Sequence, residues 1–333
     1  MLRSRLASLA YAGRLYGTYW RANLDYDARA GALRHPFPRY VQFQTIDACQ
    51  ARCRMCPYPL VAGRFPKGRM DHALFERLLA ELVAHPEVST VVPMLQNEPL
   101  LDRRLWEKVA AVKRASAGRL RVELVTNGAL LTEQTVGRLR ESGLDVLDVS
   151  LDATTRETYE QVRPGLDWDA VLAGVERAIA GLPDTTVVVR LVRMRHNAHE
   201  VRGFVRRWRR RGVAVFVYDA HDRVGAVPQW NRDLRVDPAH EGAGTRLFKR
   251  LSRAALGHCP IPFAMTSILH DGTMLLCVHD WERKEVLGNL HHATIAELWN
   301  GPRMREIRAL VRERRYTELP ACRDCSLWKD GWF

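Results

Sequence analysis

The stretch "CQARCRMC", Cys49 to Cys56, decides how the rest of the chain is read. Its cysteines stand at 49, 53 and 56, a C-x3-C-x2-C spacing. A zinc ribbon, a disulfide knot and an iron–sulfur site would each use them differently. Zinc needs a fourth local ligand, usually a second C-x2-C or a His pair, and none lies nearby. Seven cysteines in all is an odd count, which argues against a closed disulfide framework. A ferredoxin-type 4Fe–4S cluster takes four thiolates. Three leave one iron with an open site, which is what direct binding of a substrate or cofactor needs.

The surrounding sequence places these cysteines. "YVQFQTI" (40–46), just before them, reads as a strand. Strands are also expected at 88–95, 120–128, 144–152, 185–194 and 213–219. Helices are expected at 72–85, 103–115, 132–143, from 152 through about Ile179, and at 198–211. Thr132 reads as a helix N-cap and Gly143 as a stop. Six strand–helix units in strict alternation predict parallel strands with crossover helices. Six is too few for a closed eight-fold barrel, so the expected fold class is α/β, an open partial (β/α)6 barrel. Chemistry in such folds sits at the C-terminal strand ends, where the three cysteines fall. After residue 220 the alternation stops. "HDRVGAVPQWNRDLRVDPAHEGAG" (221–244) reads as a connection, and the remainder as a small second module carrying the other four cysteines.

Of 333 residues, 47% are hydrophobic and 27% charged, as in a soluble globular protein. No run of about 18 apolar residues predicts a membrane span, and the start lacks the apolar core of a signal peptide. The expected compartment is the cytoplasm, where thiols stay reduced. Net charge is +13. Its arginine run at 201–212 reads as a solvated helix face; no nucleic-acid motif accompanies it, and no stable membrane association is expected. Residues 1–36 read as a helical extension packed on the open side of the barrel.

The C-x3-C-x2-C motif after the first strand of a partial barrel resembles the radical S-adenosylmethionine (SAM) superfamily, over about residues 40–220. "QNEPLLD" (96–102) is similar to that family's Gly-Gly-Glu segment, keeping Glu98 and Pro99 but with Gln96 and Asn97 in place of glycines. "TNGALLT" (126–132), "SLDATTRETYEQVRPG" (150–165) and "MRHNAHE" (194–200) are similar to further family stretches. The resemblance implies a 4Fe–4S cluster on Cys49, Cys53 and Cys56, whose open iron chelates SAM. Reduction then cleaves the sulfonium to a 5′-deoxyadenosyl radical that abstracts a substrate hydrogen. It also implies that Glu98 holds the SAM amino group, that Ser150 and Arg163 contact its carboxylate side, that Asn197 meets the nucleoside and that Met55 packs near the adenine. Asn127 and Asp152 join this cofactor-binding set.

Cys259, Cys277, Cys322 and Cys325 follow as C-x12-G-x4-C, with Gly272, and then C-x2-C. Four thiolates can fully ligate a cluster or a zinc ion. With "CPIPF", "HDGTMLLC", "GNL" and "ELWNG", this module resembles the SPASM auxiliary-cluster domain in its shortened, twitch form. That form is known from 2-deoxy-scyllo-inosamine dehydrogenase-like enzymes of antibiotic biosynthesis. The implied domains are 1–36, 37–235 (radical SAM barrel) and 236–333 (auxiliary cluster).

Three plus four cysteines leaves none over. A radical epimerase commonly needs a thiol to return a hydrogen atom. A dehydrogenase needs a base and an acceptor for the second electron, and a fully ligated cluster is such an acceptor. The expected reaction is oxidation of a secondary alcohol on a small sugar, aminocyclitol or nucleoside. Tyr218, Asp219, His221 and Arg223 after the sixth strand are the candidate catalytic residues, with His221 the default base. Gln42 and Gln44 suggest a partly polar barrel interior. The expected partners are the small-molecule substrate and a reductant such as flavodoxin or ferredoxin. Epimerisation, and peptide maturation of the kind that usually uses a leader-binding domain of about 80 residues before the first motif, are the alternatives; here 48 residues precede Cys49.

Overall fold

Nine strands form one sheet in the computed structural model, which describes residues 2–27, 30, 32–227, 234–236, 249–251, 253–254 and 257–332. Six of them are parallel and lie side by side in chain order: β1 (Tyr40–Phe43), β2 (Thr90–Val92), β3 (Arg121–Thr126), β4 (Val146–Ser150), β5 (Thr186–Arg193) and β6 (Ala214–Asp219). This is the partial barrel that the alternation predicts. Register sets Val41 opposite Val91, Leu124 opposite Leu147 and Val149 opposite Val189. Residues Val146 to Val149 are all buried, as expected of parallel strands covered on both faces. Most of the expected strands are a few residues shorter than read, because the polar ends leave the sheet to form the site loops.

Helices α2 (His72–Ala84), α3 (Leu105–Ala115), α4 (Glu133–Glu141), α5 (Arg156–Val162), α6 (Trp168–Gly181) and α7 (Val201–Arg210) make the crossovers. Asp71, Thr132, Thr155 and Asp167 cap α2, α4, α5 and α6, each accepting a backbone N–H from the first turn. The single helix expected through Ile179 is two. Pro164 disfavours helical backbone at Arg163, and Gly165 takes a left-handed turn at φ 87°. On α7 only Phe204 and Trp208 are buried, Arg209 is half-buried, and Arg202, Arg206, Arg207 and Arg210 are exposed, so most of the basic run is a solvated helix face.

The C-terminal segment forms the expected second module, and its strands prolong the barrel sheet. Strand β7 (Met265–Ile268) pairs in parallel with β1, Tyr40 opposite Met265 and Phe43 opposite Ile268. Strands β8 (Thr273–Leu275) and β9 (Val286–Asn289) then turn back antiparallel. The one-turn helix α8 (Ile261–Ala264), α9 (Ile295–Asn300), α10 (Pro302–Arg312) and α11 (Ser326–Lys329) pack around this edge. The connection expected over 221–244 lies largely outside the described residues.

Helix α1 (Leu2–Leu24) lies across the open side of the barrel, between β6 and α8. An open barrel leaves an edge strand with unpaired backbone groups. The Ser4 hydroxyl donates to the Val213 carbonyl, and Ser8 Oγ accepts the Val215 N–H at 2.9 Å, so two serines one turn apart satisfy that edge. Tyr11 reaches inward, donating to Asp148 at 2.9 Å and accepting from Arg190 at 2.9 Å. A short hairpin, Tyr26–Asp27 against Ala32–Leu33, follows the helix.

Candidate active site

The barrel encloses a cavity of about 430 Å³ at the C-terminal strand ends. Cys49, Cys53 and Cys56 line it together, on the loop after β1. That loop is fastened by backbone: Arg52 N–H to Pro164 O (3.3 Å), Arg54 N–H to Val162 O (3.1 Å) and Cys56 N–H to Cys53 O (3.0 Å). All seven cysteines are free thiols.

The remaining four line a second, smaller cavity of about 30 Å³ in the C-terminal segment, otherwise mostly apolar. Ile261, His279 and Leu327 belong to the walls of both cavities, so a common partition separates the two cavities. Among the described residues no three His, Cys, Asp or Glu side chains converge closely enough to hold a single metal ion. Thiols disposed around a void suit a multi-iron cluster better than one tetrahedral ion at about 2.3 Å from each sulfur.

The donor chemistry fits iron–sulfur ligation. Burial pushes the Cys49 thiol up to about 12 and Cys56 up to about 11. It pushes Cys259 to about 12 and Cys325 to about 11. Cys53, Cys277 and Cys322 are also raised by burial. Opposing this, N–H groups point at the sulfurs: Tyr58 N–H at Cys56 (3.5 Å), His279 N–H at Cys277 (3.4 Å) and Arg163 Nη1 at Cys53 (3.3 Å). Such donors favour the thiolate, and iron would displace the thiol protons on binding.

Beside the first thiol set, Glu98 is buried on the cavity wall. Its carboxylate accepts from Thr126 Oγ1 (2.7 Å), Asn127 N–H (2.8 Å) and Leu100 N–H (3.1 Å). Burial raises its pKa, and those donors restrain the rise. Met55, Asn127, Ser150 and Arg163 share the same wall. Asn127 Nδ2, Asn97 Nδ2 and Gln42 Oε1 are buried there without a hydrogen-bond partner. Orphaned polar atoms facing a cavity imply a polar ligand.

Two expected cofactor residues do not reach the cavity wall. Asp152 is fully buried, accepting from Arg163 Nε (2.8 Å) and Val192 N–H (2.7 Å), with left-handed backbone at φ 59°. Asn197 is also fully buried, donating to the Asp152 and Val192 carbonyls and accepting the Met194 N–H. All its side-chain bonding is to backbone, so it shapes the end of β5. Asp152 orients Arg163, and Arg163 in turn reaches Cys53. Burial would lower the Arg163 pKa, but Asp152 and then Cys53 hold it above its ordinary value.

Tyr218, Asp219, His221 and Arg223 all line the cavity. Asp219 pairs with Arg193 through two hydrogen bonds, 2.5 and 2.9 Å, so it is not a free base. His221 is buried with its pKa well below the ordinary value, from burial first and then Arg223 and His279. Its Nδ1 faces the Arg223 N–H at 3.3 Å. Gln42 lines the cavity, whereas Gln44 is turned to His270.

Sequence reading missed three contributors. Tyr11, Arg14, Tyr16 and Tyr19 of α1 line the cavity; their steps of three, two and three along one helix are the available signal. Gln96, which replaces a family glycine, donates to the carbonyls of Asp280 (3.2 Å) and Val278 (3.4 Å), tying the β2 loop to the C-terminal segment. His279 stands two residues beyond Cys277, in the partition itself.

Residues 43–207 match the family model of the radical SAM superfamily, and residues 259–326 match that of an iron–sulfur cluster-binding domain, SPASM. The chain is 23% identical over 325 residues to a tungsten-containing aldehyde ferredoxin oxidoreductase cofactor-modifying protein of Pyrococcus furiosus, covering 87% of each chain. It is 20% identical over 286 residues to the SAM-dependent 2-deoxy-scyllo-inosamine dehydrogenase of Niallia circulans, covering 86% of this chain and 92% of that one. Among solved structures, BtrN in complex with AdoMet and 2-DOIA superposes with a TM-score of 0.56 at 18% identity, covering 86% and 92%. SuiB of Streptococcus suis bound to its precursor peptide SuiA gives 0.65 at 14% identity, covering 84% and 68%. At such identities the superpositions show the fold, shared by a structure with a small molecule bound and one with a precursor peptide bound. The chain belongs to the radical SAM superfamily, whose domain binds a 4Fe–4S cluster and SAM, and it carries a C-terminal SPASM domain of the kind that binds auxiliary iron–sulfur clusters.

Proposed function

We propose that this enzyme oxidises a secondary alcohol of a small hydroxylated molecule, a sugar, aminocyclitol or nucleoside, to the ketone. The observation that carries the reading is the partition: a second cavity lined by four thiols shares a wall with the cavity lined by three. When bound, the clusters and SAM supply an electron that opens the sulfonium, a carbon radical that takes one hydrogen atom from the substrate, and an acceptor for the second electron.

The chain's own residues do the rest. Cys49, Cys53 and Cys56 hold the SAM-binding cluster, and Cys259, Cys277, Cys322 and Cys325 the auxiliary one. Glu98 takes the SAM ammonium; its carboxylate is already oriented by three donors. Ser150, Asn127 and Arg163 offer polar contacts to the rest of SAM, and Met55 an apolar face. His221 is held neutral, and its ring takes a proton at Nδ1 in exchange for the hydrogen bond from the Arg223 N–H. A weak base suffices here, because an α-hydroxy radical is far more acidic than the parent alcohol. Helix α1 closes the cavity with Tyr11, Tyr16 and Tyr19 and limits its size to small substrates. The relatives support the reading, since one of the full-length matches is named a SAM-dependent dehydrogenase of an aminocyclitol. The reductant is a low-potential protein such as flavodoxin or ferredoxin, and the compartment the cytoplasm. Residues 1–36, 37–235 and 236–333 are the proposed domains.

The test is anaerobic incubation of the reconstituted holoenzyme with SAM, reductant and alcohols deuterated at the carbinol carbon. Deuterated 5′-deoxyadenosine and ketone in a one-to-one ratio are expected. An epimer carrying solvent hydrogen at that carbon, or modification of a peptide alone, would replace this reading with one of the two alternatives.

A further inference from the structure

We propose that Arg223 and His279 form a tuning pair that raises the reduction potential of the auxiliary cluster. The proposal rests on the reading that Cys259, Cys277, Cys322 and Cys325 ligate that cluster.

His279 belongs to the walls of both cavities, and its backbone N–H points at Cys277 Sγ. Its side chain is oriented by Arg223, whose Nη1 lies 2.9 Å from His279 Nδ1. A guanidinium can only donate, so Nδ1 is the acceptor and the ring proton is on Nε2. No hydrogen-bond partner for Nε2 is found among the described residues. The ring therefore keeps one unused N–H donor in the partition between the cavities. His221 packs edge-on against it, with centroids 4.2 Å apart, and fixes its second face.

Arg223 itself is unusual in two respects. Among the described residues it has no carboxylate partner, unlike Arg163, Arg190 and Arg193, which face Asp152, Asp148 and Asp219. Its backbone, and that of Val224, is left-handed at φ 51° and 62°. Two consecutive non-glycine residues in that region cost free energy, and such strain concentrates at functional sites. The loop is held there by Asp222, which accepts from Val224 N–H, Ser326 N–H and Ser326 Oγ. The result is a cation without a carboxylate partner that lines the first cavity, where its charge acts on Cys56, and that reaches the second only through His279.

A positive charge and an N–H donor beside an iron–sulfur cluster both favour its reduced, more negative state. A fully ligated cluster carries four thiolate charges, so it gains most from that environment. Arg223 and His279 are thus positioning residues that make the auxiliary cluster a better electron acceptor than its ligand set alone would.

The test is an EPR-monitored redox titration of the two-cluster holoenzyme without substrate. Addition of SAM separates the two signals, because only the SAM-binding cluster responds. His279→Phe is expected to lower the auxiliary midpoint and leave the other unchanged; Arg223→Met lowers both. Arg223→Lys, which keeps the charge, restores most of the Arg223→Met shift. An auxiliary midpoint unchanged in His279→Phe or in Arg223→Met overturns the proposal. So does loss of the auxiliary cluster in Arg223→Met with His279→Phe unshifted, which would make Arg223 a support of the loop only. A wild-type protein with about four irons per chain would instead remove the two-cluster reading on which the proposal stands.

Discussion

Replacing Asp152 by Asn isolates the buried charge that orients Arg163. Asparagine tolerates left-handed backbone and keeps an acceptor for the Val192 N–H, now 2.7 Å from Asp152 Oδ1. What it removes is the negative charge facing the Arg163 Nε and Nη2 groups. The side chains are 0% and 6% exposed, so water screens neither. Breaking a buried pair from one side costs about 3–5 kcal/mol. Because the amide still accepts one hydrogen bond, the lower end applies, about 3 kcal/mol. At roughly 2 °C per kcal/mol for a chain of this size, Tm of the metal-free protein falls by about 6 °C. In Asp152→Asn/Arg163→Met the unpaired cation is gone as well. The double variant is then less destabilised than the sum of the singles by about 2 kcal/mol. The assay is thermal unfolding followed by circular dichroism across the four proteins. A single-variant loss under about 1 °C, or strict additivity, would show that Asp152 and Arg163 are not coupled and would refute the orienting role.

Glu98→Gln weakens SAM binding about 10- to 100-fold, the value of a hydrogen bond to a charged group, as read by equilibrium dialysis with the reconstituted protein. Since burial raises the Glu98 pKa, wild-type affinity falls as pH drops through that raised value, beginning above the ordinary carboxyl range; the Gln variant lacks this dependence. Tyr11→Phe removes a donor to Asp148 and an acceptor for Arg190, lowering stability by about 2 kcal/mol, measured as Tm. Gln96→Ala loses both bonds to the C-terminal segment; it costs about 1 kcal/mol and speeds limited proteolysis within 259–332.

The barrel strands were legible because a two-sided buried strand is a near-continuous apolar run, and Val146–Val149 or Val187–Val192 can hardly be read otherwise. The three-cysteine loop was legible because its chemistry is local. What escaped reading depends on contacts across long sequence distances. Helix α1 looked like a bland extension, yet Ser4, Ser8 and Tyr11 have meaning only against Val213, Val215 and Asp148. The continuity of β7 with β1 joins residues more than 220 positions apart, and no periodicity announces it. Asn197 and Asp152 are legible as important, but the sequence does not show the backbone bonding that holds them. A buried Asn at a strand end and an Asp at φ 59° serve the backbone first, and only the hydrogen-bond inventory distinguishes that from ligand contact. Asp219 likewise reads as a candidate catalytic residue, and only the fold brings Arg193 to face it.

The central claim is that the chain holds two clusters. Iron and acid-labile sulfide per chain after anaerobic reconstitution, in wild type and in a Cys49/Cys53/Cys56→Ala variant, test it most directly. The account predicts about eight irons in wild type and about four in the variant. About four irons in wild type, with zinc bound in the C-terminal segment, would remove the electron acceptor and contradict it.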